Sequence, residues 1–218
     1  MKVCTDACLF GALVANYQPS TANWLDIGTG TGLLSLMVAQ KDPLAKIDAV
    51  EIDEAAAQQA KDNFTSSQWA ERLHVFNTDI LSFKTGKKYG GIISNPPFFE
   101  DDLRSPDQTK NNAKHNDSLI LSELLKIAEE QLTEDGTFAV LLPYHRVNYF
   151  TAEAAKFNLH LNRQILVRQT TGHDHFRGIL FFSRIKSEPE NTEIIIKDQE
   201  GKYTAEFTTA LKDYYLYL

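Results

Sequence analysis

Only two cysteines, Cys4 and Cys8, occur in the 218 residues, and so few thiols exclude a disulfide-stapled secreted scaffold. Their i, i+4 spacing would place both on one helix face with no other ligand type beside them, so free thiols are expected. No run approaches the roughly 18 to 20 continuous apolar residues that cross a bilayer. The opening stretch MKVCTDACLFGALVANY has its apolar run broken at Asn16 and carries no small-residue cleavage pattern. Neither membrane nor export is expected, and the expected location is cytoplasmic. Positive charge is also short: 22 Lys and Arg stand against 29 Asp and Glu, a net charge of -7. That excludes a uniformly basic coat for non-specific nucleic-acid binding and leaves room for a local basic patch. His173 and His175 in GHDHFRG, with one aspartate between them, are too few ligands for a catalytic centre, and no metal is expected.

What remains suits one globular domain, at 43% hydrophobic and 23% charged residues. From Asn23 onward NWLDIG reads as a buried strand, TGLLSLMVAQK as a helix, KIDAVEI as a strand and DEAAAQQAKDNF as a helix. LHVFNTD, GGIISN and GTFAVLLP continue the strands, DSLILSELLKIAEEQL is an amphipathic helix, and a further helix is expected near 147–158. This alternation predicts an α/β fold around a parallel sheet with right-handed crossovers. LHLNRQILVRQ and GILFFSRI are joined by too short a link for a crossover, so they should pair antiparallel. Residues 187–218, with the strand-like TEIIIKD and an aromatic helix, read as a small C-terminal appendage.

LDIGTGTG places Gly28, Gly30 and Gly32 after a strand and at the start of a helix, where glycine permits a tight turn and close approach to a ligand. Glu51 ends the next strand, positioned to accept hydrogen bonds from both hydroxyls of a ribose. Ligands in open parallel sheets lie beyond the carboxyl ends of the strands, so Asp26, Glu51, Asp79 and Asn95 are expected to line one crevice. This spacing favours a ligand containing a nucleoside and leaves NAD and S-adenosylmethionine both open.

SNPPFFED ends the apolar Ile92-Ile93 run abruptly, because proline has no N–H and restricts the residue before it. At a strand end Asn95 can offer its side-chain carbonyl, Pro96 its backbone carbonyl and Phe98 a flat face, a set that suits a planar base carrying an exocyclic amine. Such an amine is a poor nucleophile, its lone pair being delocalised into the ring. Two carbonyls that accept its hydrogens hold the nitrogen and aim the lone pair, so positioning and electrostatics do most of the catalysis. The plainer reading is a rigid Asn-Pro-Pro turn with aromatic residues capping the core.

LDIGTGTG together with NPPF resembles the class I S-adenosylmethionine-dependent methyltransferases of the amino-methylating group, over about Lys2 to Lys186. The resemblance implies a Rossmann-like fold: a mostly parallel seven-stranded sheet, an antiparallel hairpin at its C-terminal edge and helices on both faces. That group acts on adenine in DNA or RNA, on guanine N2 in ribosomal RNA and on protein glutamine. MKVCTDACLFGALV, NPPFFEDDLRSPDQTKNNAKH and LLPYHR are similar, more narrowly, to the bacterial valine-tRNA adenine-N6 methyltransferase family, which modifies the adenosine 3′ of the anticodon. Glutamine methyltransferases usually have tyrosine after NPP and an added N-terminal helical domain, and this chain departs from both.

The resemblance implies S-adenosyl-L-methionine as cofactor and tRNA as substrate; a monomer is expected. Residues 1–22 would cover the cofactor, through Lys2, Thr5 and Asp6. Asp26, Gly28, Gly30, Gly32, Glu51, Ile52, Asp79, Ile80 and Asn95 would surround it, with Asn95, Pro96, Pro97 and Phe98 as the catalytic turn. Arg104, Lys110, Lys114 and His115 follow in a polar, lid-like loop and are expected to contact RNA phosphates, as are Arg163, Arg168 and Arg177. His145 is expected to support the crevice wall. Two rivals stand beside this reading: an NAD-dependent oxidoreductase, for which no hydride-transfer site is visible, and a noncatalytic RNA-binding module.

Overall fold

A computed structural model describes residues 4–17, 22–97 and 121–217. Helix α1 (Thr5–Ala15) precedes β1 (Asn23–Ile27), α2 (Leu33–Lys41), β2 (Lys46–Glu51), α3 (Glu54–Thr65), β3 (Leu73–Asn77) and β4 (Tyr89–Ser94). The described part of α4 covers 121–131 and leads into β5 (Leu132–Pro143). Then come α5 (Val147–Lys156), β6 (His160–Arg168), β7 (His175–Ser183), β8 (Glu190–Ile195) and α6 (Ala205–Leu211).

All eight strands join one sheet in the order β3-β2-β1-β4-β5-β7-β6-β8. β1 to β5 run parallel, and β7 is antiparallel to both β5 and β6, as the short link predicts. β4 is buried along its whole length and β1 along nearly all of it, as central parallel strands must be when helices cover both faces. Chain order reverses between β1 and β4. That reversal opens a crevice outside the carboxyl ends of these strands, which is where such sheets bind ligands.

α1, α2 and α6 pack one face around Trp24, Ile93 and Phe181, whereas α4 and α5 pack the other around Leu25, Ile92 and Phe138. Phe182 lies 6.1 Å from Phe138 and 5.7 Å from Phe150 between ring centroids, tying β5, β7 and α5 together. Among the described residues no helix is long and apolar enough to cross a membrane.

Three expectations change. The sheet has eight strands, not seven, because the supposed appendage adds β8 in parallel to β6, from Arg163 opposite Glu190 to Arg168 opposite Ile195. Without it β6 would be an open edge, and the β-branched run at 194–196 suits a strand that covers one. α6 also sends Phe207 and Leu211 into the core shared with α1 and α2. Finally, α1 is a core helix with Ala7, Cys8, Leu9, Phe10 and Ala12 buried. Cys4 stands exposed at its N-cap, just before it.

Candidate active site

Strand register assembles the site. Ile27 is level with Val50 of β2 and Ser94 of β4, so Gly28, Glu51 and Asn95 leave the sheet side by side. Asn77 pairs with Glu51, and Asp79 follows two residues later. Ser94 Oγ donates to the Ile27 carbonyl at 2.9 Å, which clamps the ends of β1 and β4 together.

The glycine loop uses conformations that favour glycine: φ is 70° at Gly28, 57° at Gly30 and 85° at Gly32. A Cβ at Gly28 would meet no atom within 4 Å, whereas at Gly32 it would lie 2.4 Å from Phe64 Cε1. Gly28 thus keeps the crevice floor clear, and Gly32 lets α2 begin against α3. Glu51 holds the loop in place, accepting from the Gly30 N–H at 2.8 Å through Oε2 and from the Asp53 N–H at 3.0 Å through Oε1. Each carboxylate oxygen has a second lone pair, which leaves capacity for a donor in the crevice.

Asp26 does not line the crevice as expected. β1 continues one residue further, so Asp26 is fully buried, and its Oδ2 accepts from Thr29 Oγ1 and Ser35 Oγ, both at 2.6 Å. Its role here is to tie the glycine loop to α2. Burial pushes this carboxyl up to about 6, the Ser35 and Thr29 hydrogen bonds offset part of that push, and the Glu51 charge adds to it. The folded protein therefore binds this proton more tightly than the unfolded chain. The resulting stability penalty is absent below the ordinary value of 3.8, grows with rising pH and is complete above about 6. In Asp26→Asn that penalty should vanish. The stability difference between wild type and variant should then shift by up to roughly 3 kcal/mol between pH 4 and pH 7, measured by urea unfolding. A constant difference across that range would contradict the assignment.

Asp79 Oδ1 caps a short 3-10 turn by accepting from the Leu81 N–H at 2.9 Å. Ile80 is half-buried against the core, while Ile52 is 69% exposed, an apolar surface left open among polar strand ends.

Asn95 follows β4 and is half-buried, Pro96 is buried and Pro97 is exposed. The Asn95 side-chain oxygen is buried and has no hydrogen-bond partner among the described residues. It lies at the switch point of the sheet, where open parallel sheets bind their ligands. Phe98, Lys2, Arg104, Lys110, Lys114 and His115 lie outside the described residues.

The remaining expected contacts are rearranged by ion pairs. Thr5 is half-buried at the first position of α1. Asp6 Oδ2 accepts from Arg177 Nε at 2.8 Å, the side chains being 13% and 20% exposed. Asp6 is thus the counter-ion that fastens α1 to β7 through the Arg177 Nε. Arg168 Nε lies 2.6 Å from Glu193 Oε1, which His175 Nε2 also approaches at 2.5 Å. Arg163 meets Glu190 at 3.2 Å. It sits five residues before Arg168 on β6, about 16 Å from the crevice edge, too far down the sheet for the expected contact. Sequence reasoning missed Glu190 and Glu193 because both come from β8. His173 Nδ1 bonds with Thr170 Oγ1 at 2.7 Å, and His145 is exposed in the 3-10 turn Tyr144–Arg146.

Comparison with known proteins matches residues 7–164 to the methyltransferase small domain family. A tRNA1(Val) (adenine(37)-N6)-methyltransferase of Bacteroides thetaiotaomicron is 39% identical, covering 100% of this chain and 92% of that protein. Its counterpart in Pectobacterium carotovorum is 38% identical, covering 100% and 88%. Among solved structures, a predicted O-methyltransferase from Agrobacterium tumefaciens superposes with a TM-score of 0.72 at 16% identity, covering 95% of each chain. A glycopeptide N-methyltransferase complexed with S-adenosylmethionine gives 0.58 at 10% identity, covering 83% of this chain and 94% of that one.

Proposed function

This chain belongs to the methyltransferase small domain family, and from that membership we propose that it methylates the exocyclic N6 of adenosine 37 in valine tRNA, with S-adenosyl-L-methionine as cofactor. Full-length similarity to enzymes of that name supports the substrate, and the unpartnered buried oxygen of Asn95 carries the chemistry.

When bound, the cofactor supplies a methyl carbon on a positively charged sulfur. Everything else falls to the chain. Gly28 keeps the floor open, and the first turn of α2 offers N–H groups to a ligand's carboxylate. Glu51 accepts from the ribose hydroxyls without releasing Gly30. Ile52 and Ile80 would offer apolar contacts to the cofactor's adenine, and Asp79 would offer its amine an acceptor. Asp26 acts through the loop it fixes. Lys2 and Thr5 are proposed, by resemblance, to close over this ligand.

Asn95 Oδ1 and the Pro96 carbonyl accept the two hydrogens of the target N6. This would hold the nitrogen in place and orient its lone pair. Pro97 fixes the turn, and Phe98 is proposed to stack on the target base, which RNA can present only from an unpaired loop. Arg104, Lys110, Lys114 and His115 are proposed phosphate contacts. The protein works on this reading as a monomer in the cytoplasm.

The test is methylation of an unmodified valine tRNA transcript, followed by nucleoside mass spectrometry. N6-methyladenosine should form at position 37 and be lost when guanosine replaces that adenosine. Methylation elsewhere would overturn the substrate assignment. Thermal stabilisation by NADH and none by S-adenosylhomocysteine would overturn the cofactor.

A further inference from the structure

β5 runs past its neighbour β4. Val140 is level with Ser94, yet β5 continues to Pro143, about 10 Å further along the strand axis. It forms a shoulder beside Asn95, and Tyr144 follows at its top. The Tyr144 ring is 43% exposed and lies 5.1 Å from the His175 ring between centroids, tilted by 42°. His175 is only 16% exposed and is held by Glu193, which also holds Arg168. An aromatic ring is thus presented to solvent on a fixed floor, at the end of the strand next to the one that leads into Asn95.

From this geometry we infer that Tyr144, backed by His175, is a stacking platform for an unpaired base of the substrate RNA, a neighbour of the target adenine in the same loop. The inference rests on the tRNA reading above and adds a surface to it. Aromatic faces bind single-stranded bases because every base has a π-face to offer. The surroundings favour RNA over an apolar peptide. His145 and Arg146 follow Tyr144 directly, and Arg168 and His175 share the Glu193 carboxylate beside it, so the platform is set among polar and charged groups, not in an apolar groove. Glu193 acts here as a positioning residue for His175.

Steady-state kinetics with valine tRNA test this. Tyr144→Ala should raise KM for tRNA by about 5- to 100-fold, the range for loss of one stacked base, and Tyr144→Phe should restore the wild-type value because the ring and not the hydroxyl is needed. Affinity for S-adenosylhomocysteine, measured calorimetrically, should stay within about twofold as a check on folding. A tRNA with photoreactive 5-iodouridine in the anticodon loop should crosslink, in the wild-type protein, to the peptide containing Tyr144. Wild-type methylation with unchanged KM in Tyr144→Ala, or crosslinks confined to other peptides, overturns the platform alone. Failure of the wild type to methylate tRNA overturns the proposed function instead.

Discussion

Asn95→Ala is expected to lower kcat by about 10²- to 10³-fold, the usual cost of removing one preorganised polar group from a reacting centre. Affinity for S-adenosylhomocysteine should remain within a few-fold of wild type, since Glu51, Gly28 and Asp79 are untouched. The fold should not suffer. The clamp between β4 and β1 runs through Ser94, and the Asn95 oxygen bonds to nothing among the described residues. Tm should therefore hold steady. Methyl incorporation at saturating tRNA, read beside calorimetry, checks the split. Normal turnover in the variant would remove Asn95 from the reaction.

Glu51→Ala should act on the opposite quantity. Each charge-assisted hydrogen bond to a ribose hydroxyl contributes about 1.5–3 kcal/mol, so loss of both weakens cofactor binding by about 10²-fold or more. A second effect adds to this, because the Gly30 and Asp53 N–H groups lose the oxygens at 2.8 and 3.0 Å that hold the loop. Glu51→Gln should fall between, since one end of its amide must present N–H to a backbone N–H. Titration calorimetry with S-adenosylhomocysteine decides the matter. Wild-type affinity in Glu51→Ala would show that the carboxylate serves the loop alone.

Several parts of this design are readable from residue order. The glycine loop, the parallel alternation and the antiparallel hairpin follow from local rules: left-handed turns need glycine, buried strands are apolar throughout, and a short link forbids a crossover. Glu51 at the end of its strand is legible for the same reason. Asp26 sits one residue before the end of β1, and in a β-strand one residue is the difference between one face of the sheet and the other. The arginines' partners are less legible. Asp6 and Arg177 meet across 171 positions, and Glu190 and Glu193 reach Arg163 and Arg168 only once β8 has joined the sheet. Spacing shows that a cation is present. It does not show which anion will claim it.

The contact between α1 and α6 has a consequence for biosynthesis. Phe10 and Leu211 share one core, and Lys41 closes on Asp213 at 2.9 Å. The part of α1 that α6 covers therefore stays open during synthesis until residues 205–215 arrive, after α2 has packed on the rest. At ordinary elongation speeds of about 5–20 residues per second, that wait lasts on the order of ten seconds or more, a window in which chaperones have a binding face on every nascent copy.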